Sequence, residues 1–135
     1  MKGELTHNEI ITQPDAWADA LSAFASRECA IRGAWADLAP RQVLFIGCGS
    51  THYLSMTAAS LWRGLVGPAE ARPASELLFF FDEAVPDPAN TLLIAVSRSG
   101  TTTETLAAGD RFRSRGGRAI WTVTCYPDSP LAAAA

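Results

Sequence analysis

Leu92-Leu93-Ile94-Ala95-Val96, followed at once by Ser97-Arg98-Ser99-Gly100-Thr101-Thr102-Thr103-Glu104-Thr105, is the stretch that decides the fold. The five apolar residues run without alternation, the pattern of a strand buried on both faces in a parallel sheet. Leu106, Ala107 and Phe112 then recur at helical spacing, so a strand empties through a hydroxyl-rich turn into a helix. The first N–H groups of a helix have no intrahelical partner and lie at the positive end of its dipole, and each Ser or Thr hydroxyl can donate one more hydrogen bond. Such a cup suits a phosphate. Gly100 keeps a side chain away where the backbone must approach closely, and Thr101 with Glu104 has the spacing of a capping box, which accounts for hydroxyls here with no ligand at all. On this loop alone both explanations stand.

Working outward, Val43-Leu44-Phe45-Ile46 is a second apolar run. It ends in Gly47-Cys48-Gly49-Ser50-Thr51-His52-Tyr53, and a helical pattern follows through Leu54, Ala58, Leu61 and Leu65 to Gly67-Pro68. Strand, hydroxyl turn and helix thus occur twice. A dinucleotide-binding reading of Gly47-x-Gly49 is discounted, because His52 stands where the third glycine belongs and no acidic residue follows a second strand at the expected distance. Cys48 reads as a small residue that lets the turn close rather than as a nucleophile, since no histidine is placed beside it by the sequence. Between the two units, Glu70-Ala71-Arg72-Pro73-Ala74 is a weak strand that its proline confines to a sheet edge. Ala74-Ser75-Glu76-Leu77 starts a helix whose Leu77 to Phe81 run is expected to be buried, and Val85-Pro86-Asp87-Pro88 is a loop. Beyond the second hydroxyl turn the helix reaches Arg115 with Gly116-Gly117 as its stop, and Ala119 to Val123 form a fourth strand. Asp128-Ser129-Pro130-Leu131 resembles an N-cap and first turn, and the helix begun by Ala132 to Ala135 is left uncompleted, which reads as a truncation at residue 135. On the other side, Pro14 and Asp15 suit a first helical turn. Trp17, Leu21, Phe24, Glu28, Ile31, Trp35 and Leu38 then trace an amphipathic helix expected to bend or end near Gly33, its aromatics serving as core or subunit contact.

At 135 residues the chain holds one domain's worth of core, divided by this reading into an arm and helix over 1–40 and a domain over 41–135. A net charge of −3 with scattered arginines offers no basic face, which argues against nucleic acid. Neither a signal peptide nor a membrane-length apolar run is evident, so a cytoplasmic protein without a membrane partner is expected. Cys29, Cys48 and Cys125 are odd in number, lack a C-x-x-C spacing and have only His7 and His52 to join them, so reduced thiols are expected rather than disulfides or a zinc site. Lys2 is the single lysine, which excludes a phosphate-loop lysine.

Alternating strands and helices give an α/β, three-layer α/β/α sandwich with a parallel, right-handed sheet. The edge-like second strand fits the flavodoxin-like (Rossmann-like) order 2-1-3-4-5, truncated before the last strand, and puts both hydroxyl loops at the switch point between strands one and three. Ser50-Thr51 and Ser97 to Thr102 should then face each other across one crevice.

Four stretches carry a resemblance to a known family, the sugar isomerase (SIS) domain, and more narrowly to the isomerase half of glucosamine-6-phosphate synthase and its deaminase and deglycase relatives. Glu9-Ile10-Ile11-Thr12-Gln13-Pro14 is similar to E-I-x-x-Q-P, Cys48-Gly49-Ser50-Thr51 to C-G-T-S, Ala74-Ser75-Glu76-Leu77 to A-S-E-F, and Ser97-Arg98-Ser99-Gly100-Thr101-Thr102 to S-Q-S-G-E-T. They occur in order across most of the chain. The resemblance implies phosphate ligands at Ser50, Thr51, Ser97, Ser99 and Thr102, with Cys48, Gly49 and Gly100 lining the site and Arg98 standing where the family usually has glutamine. That arginine either adds a charge-assisted bond or points to solvent. The resemblance further implies a hexose 6-phosphate as ligand, a homodimer, no cofactor and no metal. It places the acid/base Glu, the Lys and the ring-opening His in a second half, so no catalytic residue is assigned within this chain. Two other functions compete: a non-catalytic phosphosugar-sensing domain of a regulatory protein, disfavoured because only Met1 to Asn8 precede the first motif, and a flavin mononucleotide module, disfavoured because the richer loop follows strand three instead of strand one.

Overall fold

The computed structural model describes residues 3–135; Met1 and Lys2 lie outside the described residues. The chain divides into two compact units, the first reaching Ala39 and the second running from Pro40 to Ala135. In the first, α1 (Glu4–Ile11) and α2 (Gln13–Leu38) meet at Thr12, whose N–H and hydroxyl both donate to the Asn8 carbonyl, at 3.1 and 2.8 Å. Pro14 sits in the first turn of α2, where a missing N–H leaves nothing unsatisfied. The helix does not end at Gly33. One glycine costs about 1 kcal/mol relative to alanine, too little to break a helix of 26 residues, and the chain turns only at Ala39 with φ 39°. Neither helix buries a residue, so Trp17 and Phe24 are not core residues.

The second unit is built on β1 (Gln42–Gly47), β2 (Ala69–Pro73), β3 (Thr91–Val96) and β4 (Ala119–Val123). Among the described residues they make one four-stranded sheet, parallel throughout, in the order β2-β1-β3-β4. This is the flavodoxin-type order. From β1 the chain passes through α3 (Ser50–Leu65) to the edge strand β2, whose last residue is Pro73. It then crosses by α4 (Ala74–Phe79), α5 (Phe81–Ala84) and a 3-10 turn at Pro88–Asn90 to β3 on the other side of β1. The helix α6 (Thr103–Ser114) leads to β4, and α7 (Pro130–Ala133) follows.

Alternate side chains of β1 serve different layers, as the period of two demands. Leu44 and Ile46 join Leu77, Phe81, Leu93, Ala95, Phe112 and Ile120 in the core beneath α4 and α6, while Phe45 meets Trp62 of α3 edge to face at 6.0 Å. Every residue of β3 is buried, as the unbroken apolar run predicts.

Periodicity alone does not say which side chains face inward, and one expectation of burial fails. The stripe Leu54, Leu61 and Leu65 is exposed by 57, 60 and 82%, and the side of α3 that lies on the sheet presents Ser55 and Ala59, both fully buried. Small residues let the helix backbone approach β1 and β2 closely, and the Ser55 hydroxyl is satisfied within the helix by the Thr51 carbonyl at 2.8 Å. The run from Leu77 to Phe81 is likewise not buried throughout. Leu77 and Phe81 are inside, but the helix breaks at Phe80, leaving Phe79 and Phe80 exposed.

Candidate functional site

The partners Ile46↔Ala95 are the last pair between β1 and β3, so both central strands end level and both following loops leave from one edge of the sheet. Gly47 ends β1 where the start of α3 folds back over it. A Cβ there would lie 2.7 Å from the Thr51 carbonyl carbon and 2.8 Å from the His52 nitrogen, so only glycine permits this turn. The Thr51 hydroxyl holds the loop closed, donating to the Cys48 carbonyl at 2.9 Å and accepting from the Cys48 N–H at 3.0 Å. Ser50, one residue earlier, is exposed and its side chain has no hydrogen-bond partner.

The second loop is tied from within and from below. Ser97 is 2% exposed; its hydroxyl accepts from the Gly100 N–H at 3.2 Å and pairs with the Thr102 hydroxyl at 3.0 Å. Ser99 accepts from both the N–H and the hydroxyl of Thr101, at 3.2 and 3.0 Å, which leaves its own proton free for an outside acceptor. Gly100 has φ +64°, and a Cβ on it would overlap the Ser129 side chain. The capping box expected from Thr101 and Glu104 is absent. Thr102 is the N-cap of α6, and no side chain caps the helix, because the Thr102 hydroxyl is engaged with Ser97. The first-turn N–H groups of α6 therefore face the loop uncapped.

One contact joins the two loops: the Cys48 sulfur lies 3.7 Å from the hydroxyl of Thr105, a buried residue in the first turn of α6. Cys48 is half-buried and packs against the core, consistent with a turn residue. Sequence reasoning missed the part Thr105 plays in this region and the approach of Ser129 to Gly100, though the N-cap expected at Asp128-Ser129 is found at Ser129. Thr105 closes the T-T-T-E-T run, and Ser129 caps α7 through the Ala132 N–H at 3.3 Å while sitting against Gly100. Arg98 is exposed and its side chain has no partner, whereas its carbonyl accepts from the Cys125 N–H at 3.2 Å and the Thr124 hydroxyl at 3.3 Å.

The ionisable residues nearby are poorly equipped for proton transfer. His52 Nδ1 is buried without a hydrogen-bond partner. Glu76 is ion-paired with Arg72 at 3.3 Å, and Arg72 also binds Glu70 at 2.9 Å. The Glu70 hydrogen bond first, then the charges of Glu70 and Glu76, hold the Arg72 guanidinium above its ordinary pKa despite partial burial. Two hollows, of about 90 and 260 Å³, lie along β2 rather than between the loops.

No family model matches the chain. The isomerizing glutamine–fructose-6-phosphate aminotransferase of Acinetobacter baylyi is 38% identical over 116 residues, covering 79% of this chain. The chain spans 18% of the length of that protein. Among solved structures, tagatose-6-phosphate ketose/aldose isomerase from Escherichia coli superposes with a TM-score of 0.85 over 97% of this chain and 37% of its own, at 23% identity. The C-terminal domain of glucosamine-fructose-6-phosphate aminotransferase from Francisella tularensis superposes at 0.63 over 70% of this chain and 26% of its own, also at 23% identity. At such identities the likeness is one of fold.

Proposed function

We propose that this chain, which has the sugar isomerase (SIS) fold and resembles the isomerase part of glutamine–fructose-6-phosphate aminotransferase, binds the phosphate of a hexose 6-phosphate between its two hydroxyl loops. The observation that carries this reading is the uncapped start of α6 beside hydroxyls with protons to spare. Ser50, Ser99 and one of the Ser97–Thr102 pair can each donate outward, Thr51 shapes the first loop around the anion, and Arg98 stands at the rim. Among the described residues no helix is long and apolar enough to cross a membrane. A cytoplasmic location and a homodimer go with this reading.

The whole protein is then an isomerase, aminotransferase or deaminase acting on a hexose 6-phosphate by ring opening and proton transfer between adjacent carbons. Neither His52, whose Nδ1 lacks an orienting partner, nor Glu76, held by Arg72, is a suitable base. This chain alone binds and does not turn over. Calorimetric titration with fructose 6-phosphate and glucosamine 6-phosphate should show binding that Ser99→Ala weakens by about ten- to a hundredfold, the range for a hydrogen bond to a charged group. A parallel coupled assay should show no turnover. Unchanged affinity in Ser99→Ala would remove the second loop from the site, and turnover lost in His52→Ala or Glu76→Ala would place the chemistry here after all.

A further inference from the structure

We infer that Arg98 makes this site select a doubly charged phosphate ester over a singly charged anion of the same shape, an inference that rests on the phosphate reading above. Arg32, Arg72 and Arg115 are each paired with a carboxylate, to Glu28, to Glu70 and Glu76, and to Asp82. Arg98 is exposed and has neither an ion pair nor a side-chain hydrogen bond. Its backbone is nevertheless held in place. The carbonyl is held by the Cys125 N–H and the Thr124 hydroxyl, and the preceding Ser97 N–H donates to the Val123 carbonyl at 3.0 Å. The Arg98 side chain thus leaves an anchored backbone between Ser97 and Ser99, two of the proposed phosphate ligands.

Charge balance assigns it a role. A phosphate monoester carries about −1.5 to −2 at pH 7. The two helix starts at the loops supply about +0.5 each, and hydroxyls add hydrogen bonds without net charge. Roughly one negative charge is left over, which one guanidinium neutralises. No lysine occurs among the described residues, and Glu104 in the first turn of α6 and Asp128 before α7 are both exposed carboxylates of the wrong sign. A sulfate ester has the same tetrahedral oxygens and only one negative charge, which the helix starts already meet. Arg98 thus matters for the phosphate and little for the sulfate.

Glucose 6-phosphate and glucose 6-sulfate titrated calorimetrically at pH 8 and low salt into the wild type, Arg98→Gln and Arg98→Lys test this. The wild type should prefer the phosphate. Arg98→Gln should lose about tenfold or more for the phosphate and no more than about threefold for the sulfate, while Arg98→Lys keeps most of the preference. Equal losses for both ligands, or no loss for either, overturn the role of Arg98. If the wild type binds glucose 6-phosphate and Ser99→Ala weakens it while the phosphate-to-sulfate ratio is unchanged in Arg98→Gln, the inference fails and the phosphate site survives. A wild type that binds neither ester overturns both.

Discussion

Thr51 and Ser99 look alike in the sequence, as hydroxyls at the start of helices, but their protons go to different places. Thr51 donates to Cys48 and so maintains its own loop, whereas Ser99 accepts two bonds from Thr101 and keeps its proton. The difference depends on which neighbours the fold supplies, and no motif records it. The same holds for the capping box expected from Thr101 and Glu104, where Thr102 becomes the N-cap, the Thr101 hydroxyl goes to Ser99 and that of Thr102 to Ser97. Gly100 was legible as a glycine needed for close approach, but the object it approaches was not, because Ser129 arrives from beyond β4. Gly100→Ala places a Cβ at φ +64°, a conformation that costs an L-residue about 1–2 kcal/mol, and adds the overlap with Ser129. Urea denaturation should show a loss of at least that size, with hexose phosphate affinity reduced as well. A variant of wild-type stability would mean that the loop can relax away from α7.

At the scale of elements, the strands were legible because burial on both faces leaves an unbroken apolar run, and the loops because Gly, Ser and Thr cluster there. The inward face of α3 was not. Its leucines trace a helical stripe as well as any core stripe does, but packing on a sheet at close range favours Ser55 and Ala59. Periodicity identifies a helix and does not say which apolar stripe lies against the sheet. Leu77→Ala should therefore cost about 2–5 kcal/mol in urea unfolding, since Leu77 is fully buried, whereas Leu61→Ser should stay within about 0.5 kcal/mol in the monomer. We expect Leu54, Leu61 and Leu65 to contribute to self-association along with the apolar stripe of α2. Sedimentation of the Leu61→Ser/Leu65→Ser variant should show weaker dimerisation than the wild type. An unchanged dimer would exclude the α3 stripe from the interface, and a monomeric wild type at tens of micromolar would count against the homodimer itself, for which standard interfaces suffice.

For the molecule as a whole, the central claim is that the strand order brings two hydroxyl loops, far apart in sequence, to one phosphate. The order β2-β1-β3-β4 and the level ends of β1 and β3 put the loops side by side, and the Cys48–Thr105 contact ties one to the other. The order was readable from a single proline in a weak strand, which marked β2 as an edge. Backbone amide NMR during titration with glucose 6-phosphate tests the claim most directly. The amides of Ser50 to Tyr53 and of Gly100 to Thr105 should shift together, following one binding curve. Shifts confined to one loop, or centred on Glu70 and Arg72 beside the hollows along β2, would contradict it.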